Sequence, residues 1–219
     1  MERIKSRISI NKLAEYMVAT PGRRRTIVKN QKKPADFIVA YYNEAEEIIS
    51  KFIANEITEK QLWKEIAELE RRPVSTDWDE TRQSVCIAAL DEFENLITDV
   101  ELPQYDKVRG DRSQERLIIS GIQISVRPEI LLFRDGNVVG AIKMVFNKTR
   151  TRGKDEIEYI GTVLLEYMRE IYDKNINNTD CYVIDIFAGK MDVAPKAFKK
   201  RMKDIEASCE EIRDTWKRV

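Results

Sequence analysis

An acidic residue and a lysine lie on the two arms of a predicted β-hairpin. Glu129 follows Pro128, and Lys143 lies within the apolar run that ends at Phe146. Residues 129 and 143 are equidistant from residue 136, so pairing across the turn places them opposite each other. A carboxylate there can hold a divalent cation, and an adjacent ammonium can orient a water for phosphodiester hydrolysis. The alternative is an ordinary cross-strand ion pair.

The elements around these two residues have a recognisable order. Over about residues 78–188 they run helix, acid-bearing strand, hairpin, lysine-bearing strand, helix, strand. This order resembles the core of the PD-(D/E)xK nuclease superfamily. Pro128-Glu129 stands where that family has Pro-Asp, Lys143 stands at its motif lysine, and Ala141 occupies the position of its second acid. The resemblance implies a metal-dependent nuclease that uses Mg²⁺ or Mn²⁺ and acts on DNA or RNA.

The resemblance requires a second metal-binding acid from elsewhere in the chain. Some members of the superfamily carry it on the following helix, where Glu156 is our preferred candidate. The predicted catalytic residues are therefore Glu129, Lys143 and Glu156, with Glu129 and Glu156 as metal ligands. Glu156 could instead complement the dipole of its helix, and Glu92 or Glu94 of the preceding helix is a further candidate. With no replacement, the chain would be an inactive nucleic-acid-binding or partner-docking module of a bacterial or phage system.

Basic residues cluster at three places. Residues 23–33 carry six cations and no acid, residues 148–154 carry four more, and a stripe of lysines follows one face of the last helix. Such clusters can contact nucleic-acid phosphates, with affinity that falls as salt rises. An ordinary solvated surface is the alternative. The residues predicted to contact nucleic acid are Arg23, Arg24, Arg25, Lys199 and Lys203.

Composition limits the chemistry open to the chain. Its 219 residues include no histidine and three cysteines, which excludes histidine-based catalysis, imidazole zinc sites and a disulfide framework. Net charge is zero, so acids elsewhere balance the basic clusters. No apolar run approaches the ~20 residues of a bilayer span, and no apolar signal segment follows the charged N-terminus. We therefore predict a cytoplasmic protein that makes no membrane contact.

Hydrophobic spacing predicts a mixed α+β fold. The period is helical over the first 100 residues and then changes to that of strands, in the order β-β-β-α-β, before a terminal helix. We divide the chain into an N-terminal helical region, 1–75, and an α/β core with a C-terminal helix, 76–219. The sheet is expected to be small, mixed and flanked by helices. Its predicted strands are 117–126, 129–133, 138–146 and 181–188.

Helix boundaries follow from local signals. Pro21-Gly22 is expected to end the first helix and open a basic loop, and Pro34 to begin the next helix. Thr58 and Gln61 match a capping box. The last helix carries an apolar seam from Phe198 to Trp216, which we expect to pack on the chain's own domain. A second copy of the chain or a partner helix is the alternative occupant of that seam.

Overall fold

The computed structural model describes residues 6–33, 41–111, 115–150 and 152–219. Within these ranges, seven α-helices and two mixed β-sheets confirm the predicted mixed α+β fold. The helices are α1 (Ile10–Val18), α2 (Pro21–Lys32), α3 (Asn43–Ile53), α4 (Glu59–Arg71), α5 (Asp77–Glu94), α6 (Lys154–Ile171) and α7 (Phe198–Arg218). The strands are β1 (Arg7–Ser9), β2 (Asp106–Arg109), β3 (Leu117–Ile119), β4 (Ile122–Ser125), β5 (Ile130–Arg134), β6 (Asn137–Val145), β7 (Cys181–Asp185) and β8 (Lys190–Val193).

The larger sheet carries the candidate site. Its strand order is β2-β5-β6-β7-β8; β6 and β7 pair in parallel, and the other neighbours pair antiparallel. β5 and β6 form the predicted hairpin, whose turn residues Asp135 and Gly136 have φ of 53° and 76°. Positive φ at both positions suits a two-residue hairpin and favours the Asp-Gly pair. Helix α6 then crosses over the sheet and brings β7 alongside β6.

The predicted strand 117–126 is wrong, because this segment folds as a tight hairpin in the second sheet. β3 and β4 pair antiparallel around Ser120 and Gly121, which have φ of 47° and 81°, and β1 pairs with β4 in parallel. The Ser-Gly pair therefore makes a turn inside an otherwise apolar run. The first strand of the larger sheet is instead β2, a short segment with three charged residues that hydrophobic spacing does not reveal.

The prediction that Pro21-Gly22 opens a loop is also wrong. Pro21 is the first residue of α2, where its missing amide hydrogen costs no hydrogen bond. The predicted helix start at Pro34 lies outside the described residues. The capping box is confirmed: the Thr58 amide donates to Gln61 Oε1 at 2.8 Å, and the Gln61 amide donates to Thr58 Oγ1 at 3.3 Å.

Two hydrophobic cores lie on opposite faces of the larger sheet. Alternate residues of β6 contribute to each, since Ala141 and Val145 belong to one core and Ile142 and Met144 to the other. The first core also draws on α1, α2, α6 and α7, and the second on α3, α4 and α5. Each core therefore combines residues from both sides of residue 75, so the regions 1–75 and 76–219 share their interiors.

The outer helices are amphipathic. The apolar seam of α7 packs on the chain's own core, as expected, and its buried members are Met202, Ile205, Cys209, Ile212 and Trp216. Lysines on the opposite side of the helix face solvent. Among the described helices, none combines the length and the apolar character needed to cross a bilayer.

Candidate functional site at the end of the β5–β6 hairpin

Glu129 and Lys143 face each other at the open end of the hairpin, as the spacing predicts. The ladder pairs Ile130 with Ile142, and the Glu129 amide donates to the Ile142 carbonyl oxygen at 3.0 Å. One further step along this register places Glu129 opposite Lys143. A bulge between Leu132 and Phe133 shifts the ladder by one residue of β6, since Phe133 pairs with Val138 but Leu132 pairs with Gly140. This shift sets Glu129 opposite Lys143 instead of Ile142.

The two side chains form a buried ion pair that also completes the sheet. Lys143 Nζ donates to Glu129 Oε1 and, at 3.0 Å, to the carbonyl oxygen of Arg127. The other carboxylate oxygen, Glu129 Oε2, accepts the Met144 amide at 2.5 Å. The exposed fractions of the two side chains are 8% for Lys143 and 7% for Glu129. The carboxylate thus takes the place of a strand carbonyl where the chain leaves the ladder at Pro128.

Burial makes Glu129 harder to ionise than an ordinary glutamate. Removal from water raises the pKa of its carboxyl group to about 7, although the Lys143 ammonium and the Met144 amide favour the ionised form. The charge of Glu46, on α3, raises the pKa as well. Near neutral pH, the carboxyl group is therefore divided between its neutral and ionised forms.

A cleft of about 740 Å³ lies at this ion pair, and we call it the Glu129–Lys143 cleft. Its lining includes Glu46 of α3, Asp111 just after β2, and Arg127. Glu46 is half-buried, and its side chain makes no hydrogen bond or ion pair with the residues that the structure describes. Its carboxylate is therefore available to a ligand in the cleft.

A second ion-pair network lines the same cleft. Arg109, at the end of β2, donates to Glu47 at 2.6 Å and to Glu56 at 2.8 Å. These carboxylates are already paired, and their exposure means that the pairs add little stability. Counting both networks, five acidic and three basic side chains line the cleft. Because acidic side chains outnumber basic ones, the cleft favours binding of a cation over binding of a phosphate that has no cation with it.

The carboxylates of the cleft are the type of ligand that a hard divalent cation prefers. Mg²⁺ is usually bound by one or two carboxylates, with water and phosphate as the remaining ligands, and Mn²⁺ also prefers oxygen ligands. Glu46 and Glu129 could supply two carboxylates. Within the part of the chain that the structure describes, no three acidic or cysteine side chains group closely enough to hold a metal ion. A cation here would therefore depend on two protein ligands and on water.

Glu156, predicted as the second metal ligand, lies in a different polar network. Its side chain is completely buried, both of its oxygens accept Arg150 Nη2 at 2.8 Å, and Arg152 Nη1 donates to it as well. Glu156 does not line the Glu129–Lys143 cleft. The structure therefore brings Glu129 and Lys143 together but holds Glu156 apart from them.

The position of the family's second acid and the two further candidate acids also lie outside the cleft. Ala141, at the position of the family's second acid, is completely buried in a hydrophobic core. Glu92 lines a smaller pocket of about 300 Å³ together with Asp185. Glu94 is exposed at the end of α5. None of these three positions places a carboxylate beside Glu129.

Glu46 is the site residue that sequence analysis missed. Helix α3 begins with several acids, and residue type does not separate Glu46 from Glu44 or Glu47. Helical spacing provides a signal, because Asn43, Glu46 and Ser50 recur at i, i+3 and i+7. All three line the Glu129–Lys143 cleft. A polar stripe on an otherwise core-facing helix could therefore have pointed to this face.

The predicted nucleic-acid-binding residues have different surroundings. Arg23 donates to Glu15 at 2.8 Å through Nε and at 2.5 Å through Nη2. Arg24 donates to two carbonyl oxygens at the end of α1, at 3.1 and 3.2 Å, and to Glu211 of α7 at 3.2 Å. Its guanidinium therefore joins α1 to α7. The remaining three are exposed: Arg25, Lys199 and Lys203.

Comparison with known proteins adds no identification. No protein-family model matches the chain, and no curated protein matches it.

Proposed function

We propose that this chain hydrolyses phosphodiester bonds of DNA or RNA in a reaction that depends on Mg²⁺ or Mn²⁺. The observation that carries the proposal is that Glu46, Glu129 and Lys143, from a helix and two adjacent strands, line one cleft. Glu46 and Glu129 would hold the cation, and Lys143 would orient the attacking water. Glu156 would stabilise the loop after β6 through its two arginines instead of binding metal.

In the proposed reaction, Lys143 moves away from Glu129. Lys143 Nζ donates to Glu129 Oε1, and a divalent cation bound at that oxygen would repel the ammonium group. The freed ammonium retains the Arg127 carbonyl as an anchor and can donate to a water or a phosphate oxygen. A divalent cation, when bound, would polarise the phosphate and acidify a coordinated water.

The topology of the larger sheet supports the proposal. Acid-bearing β5, lysine-bearing β6, crossover helix α6 and parallel β7 follow the order on which the PD-(D/E)xK resemblance rests. The second acid would come from a helix ahead of the sheet, and that helix is α3. The β3–β4 hairpin is then an insertion between β2 and β5.

A second candidate is an inactive nucleic-acid-binding or partner-docking module with the same fold. Ala141 is buried where the resemblance expects an acid, and two arginines neutralise Glu156. Under this candidate, Glu129 and Lys143 only complete the sheet. Such a module would retain nucleic acid without cleaving it.

A cleavage assay separates the two candidates. Labelled single- and double-stranded DNA and RNA are incubated with Mn²⁺ or with EDTA. We expect Mn²⁺-dependent cleavage that falls by about 100-fold in Glu46→Gln, because a metal ligand is lost. Glu44→Gln is the matched control, since Glu44 lies on the same helix, pairs with Arg72 and does not line the cleft. Retention of nucleic acid without cleavage of any substrate would contradict hydrolysis and support the binding module.

A further inference from the structure

A second pocket, of about 450 Å³, lies between the N-terminal helices and the loop that follows β6. We call it the α1–α2 pocket. It shares no lining residue with the Glu129–Lys143 cleft. Its charged and hydroxyl-bearing lining residues are Lys12, Glu15, Thr20, Arg23, Thr149 and Arg150.

The lining of this pocket is positively charged. Lys12, Arg23 and Arg150 supply three cations, and Glu15 supplies one carboxylate. Glu15 accepts hydrogen bonds from Lys12 at 2.7 Å and from Arg23 at 2.5 and 2.8 Å. Burial opposes the ionisation of Glu15, but the two cations outweigh burial and lower its pKa. One ionised carboxylate cannot neutralise three cations, so an excess of positive charge lines the pocket.

A buried layer behind the pocket holds Arg150 in place. Arg150 Nη2 donates to both oxygens of Glu156 at 2.8 Å, and Arg152 shares the same carboxylate. Arg152 is 7% exposed, and its Nε has no hydrogen-bond partner among the described residues. Burial lowers the pKa of Arg152, while the charges of Glu156, Asp185 and Glu15 oppose that shift. The two arginines are therefore balanced by the carboxylates of Glu156 and Asp185, and the excess positive charge belongs to the residues that line the pocket.

Helix α2 begins at this pocket without a side-chain cap. Thr20 is the N-cap residue and makes no capping hydrogen bond, and no acid occupies the first turn. The first amides of an α-helix have no intrahelical acceptors, and that end of the helix carries partial positive charge. Arg23, in the same turn, increases the local positive potential. The positive helix end and Arg23 repel each other, and a bound anion would reduce that repulsion. The helix end therefore favours an anionic ligand, as do the three cations of the lining.

We propose that the α1–α2 pocket binds a phosphate group through Lys12, Arg23 and Arg150. The phosphate would belong to the backbone of a nucleic acid whose scissile bond enters the Glu129–Lys143 cleft. This choice of phosphate source rests on the proposed function. Arg150 follows Lys143 by seven residues, which limits their Cα separation to about 25 Å. That distance is shorter than one turn of duplex DNA, which is about 34 Å. Free inorganic phosphate shares the chemistry and is the other source.

Fluorescence anisotropy of a labelled oligonucleotide in EDTA tests the proposal, because binding is then measured without cleavage. Arg23→Gln and Arg150→Gln each remove one cation, and each should raise Kd by about tenfold, as expected for one charge-assisted hydrogen bond. Arg71→Gln is the charge-matched control, since Arg71 is exposed, lies at the end of α4 and lines neither pocket. It should change Kd by less than about twofold. Lys12→Gln substitutes for Arg150→Gln if circular dichroism shows the latter to be unfolded.

Equal losses in Arg23→Gln and Arg71→Gln would overturn the proposal, because binding would then follow net charge instead of this pocket. Inorganic phosphate provides the second arm. Thermal stabilisation of the wild type by phosphate, lost in Arg23→Gln while oligonucleotide binding is unchanged, would assign the pocket to free phosphate and overturn the nucleic-acid source. No effect of Arg23→Gln in either arm would overturn the site itself. Both arms are independent of hydrolysis, which the Glu46→Gln cleavage assay tests separately.

Discussion

At the scale of single residues, Glu129 has two roles that compete for the same oxygen atoms. Its carboxylate completes the β6 ladder and neutralises Lys143. In the proposed reaction, Oε1 must exchange Lys143 for a cation. With a pKa of about 7, Glu129 loses or gains its proton at little free-energy cost near neutral pH. The ion pair is therefore weakly held at the pH where exchange would occur.

Lys143→Met should destabilise the chain by about 3 kcal/mol at pH 8, because the buried Glu129 carboxyl group loses its countercharge and must either stay ionised without it or take up a proton from alkaline solution. The double variant Glu129→Gln/Lys143→Met should lose less than the single one, since no buried charge remains. Urea unfolding of the three proteins measures both differences. A double variant less stable than Lys143→Met alone would contradict a buried ion pair at this position.

Stability should depend on pH through Glu129. Its pKa is about 7 when folded, against an ordinary value of 4.5, so the folded chain holds this proton more tightly than the unfolded chain does. The resulting stabilisation is complete below pH 4.5 and is lost as pH rises through 7. Relative to Glu129→Gln, the wild type should lose about 3 kcal/mol of unfolding free energy over that range. Parallel pH profiles for the two proteins would refute the raised pKa.

Sequence spacing predicts only part of the site. The facing of Glu129 and Lys143 depends on the Asp135-Gly136 turn and on the bulge between Leu132 and Phe133, which shifts the register by one residue. The sequence predicts the turn but not the bulge. Glu46 could not be assigned from residue type, because its position in the cleft depends on how α3 packs on the sheet. The pairing of Glu156 with two arginines likewise depends on tertiary packing, since Arg150 and Arg152 lie in a loop.

At the scale of elements, β6 is the strand on which the site depends. It pairs with β5 on one side and β7 on the other, and its alternate residues face the two cores. At Gly140, the backbone of β6 lies close to the segment that precedes β7. A Cβ atom at Gly140 would lie 1.8 Å from the Asp180 carbonyl oxygen. Glycine is therefore required there by packing, at ordinary backbone angles.

Gly140→Ala should cost about 3 kcal/mol of unfolding free energy, because the backbone of β6 or of Asp180 must move. Gly22→Ala is the control: an added Cβ there meets nothing within 4 Å, and alanine suits the first turn of α2. Thermal unfolding of both variants provides the comparison. Equal stability of the two would show that the β6–Asp180 contact is not as close as described.

Local sequence signals predict helices and strands well where the turn or capping residues and the hydrophobic period indicate the same element. The β5–β6 hairpin and the Thr58 capping box follow directly from the sequence. The prediction of a single strand over 117–126 is wrong because the Ser120-Gly121 turn lies within an apolar run. The positive φ angles of these two residues are seen only in the structure. The prediction that Pro21-Gly22 opens a loop is wrong because this dipeptide is compatible both with a turn and with the first positions of a helix.

At the scale of the whole molecule, the two cores join the N-terminal helices to the sheet. Ile8 and Val28 belong to the core that α6 and α7 complete, and Ile49 and Leu62 to the core on the other face. Hydrophobic spacing predicts amphipathic helices in the N-terminal region, but it could not show which helix covers which face of the sheet. The boundary at residue 75 therefore marks a change of sequence period and does not separate two interiors.

A fragment of residues 76–219 should fail to fold cooperatively, because both cores lose residues that the remaining chain cannot replace. Proton–nitrogen correlation spectra and denaturant unfolding of the fragment and the full chain test this expectation. A dispersed spectrum with a single sharp unfolding transition for the fragment would show that 76–219 is a self-sufficient domain.

The charge layout of the whole molecule gives the two pockets complementary roles. The Glu129–Lys143 cleft is acidic and requires a cation before it can accept a phosphate. The α1–α2 pocket is basic and can bind a phosphate directly. Nucleic acid held at the basic pocket would bring its backbone to the cleft without relying on the metal for all of its affinity.

Direct measurement of Mn²⁺ binding at pH 8, by electron paramagnetic resonance, tests the central claim that Glu46 and Glu129 form one cation site. We expect Glu46→Gln and Glu129→Gln each to weaken Mn²⁺ binding by at least about tenfold, with fold checked by circular dichroism, and Glu44→Gln to bind as the wild type does. Absence of Mn²⁺ binding by the wild type, or binding that neither cleft variant weakens, would contradict the account.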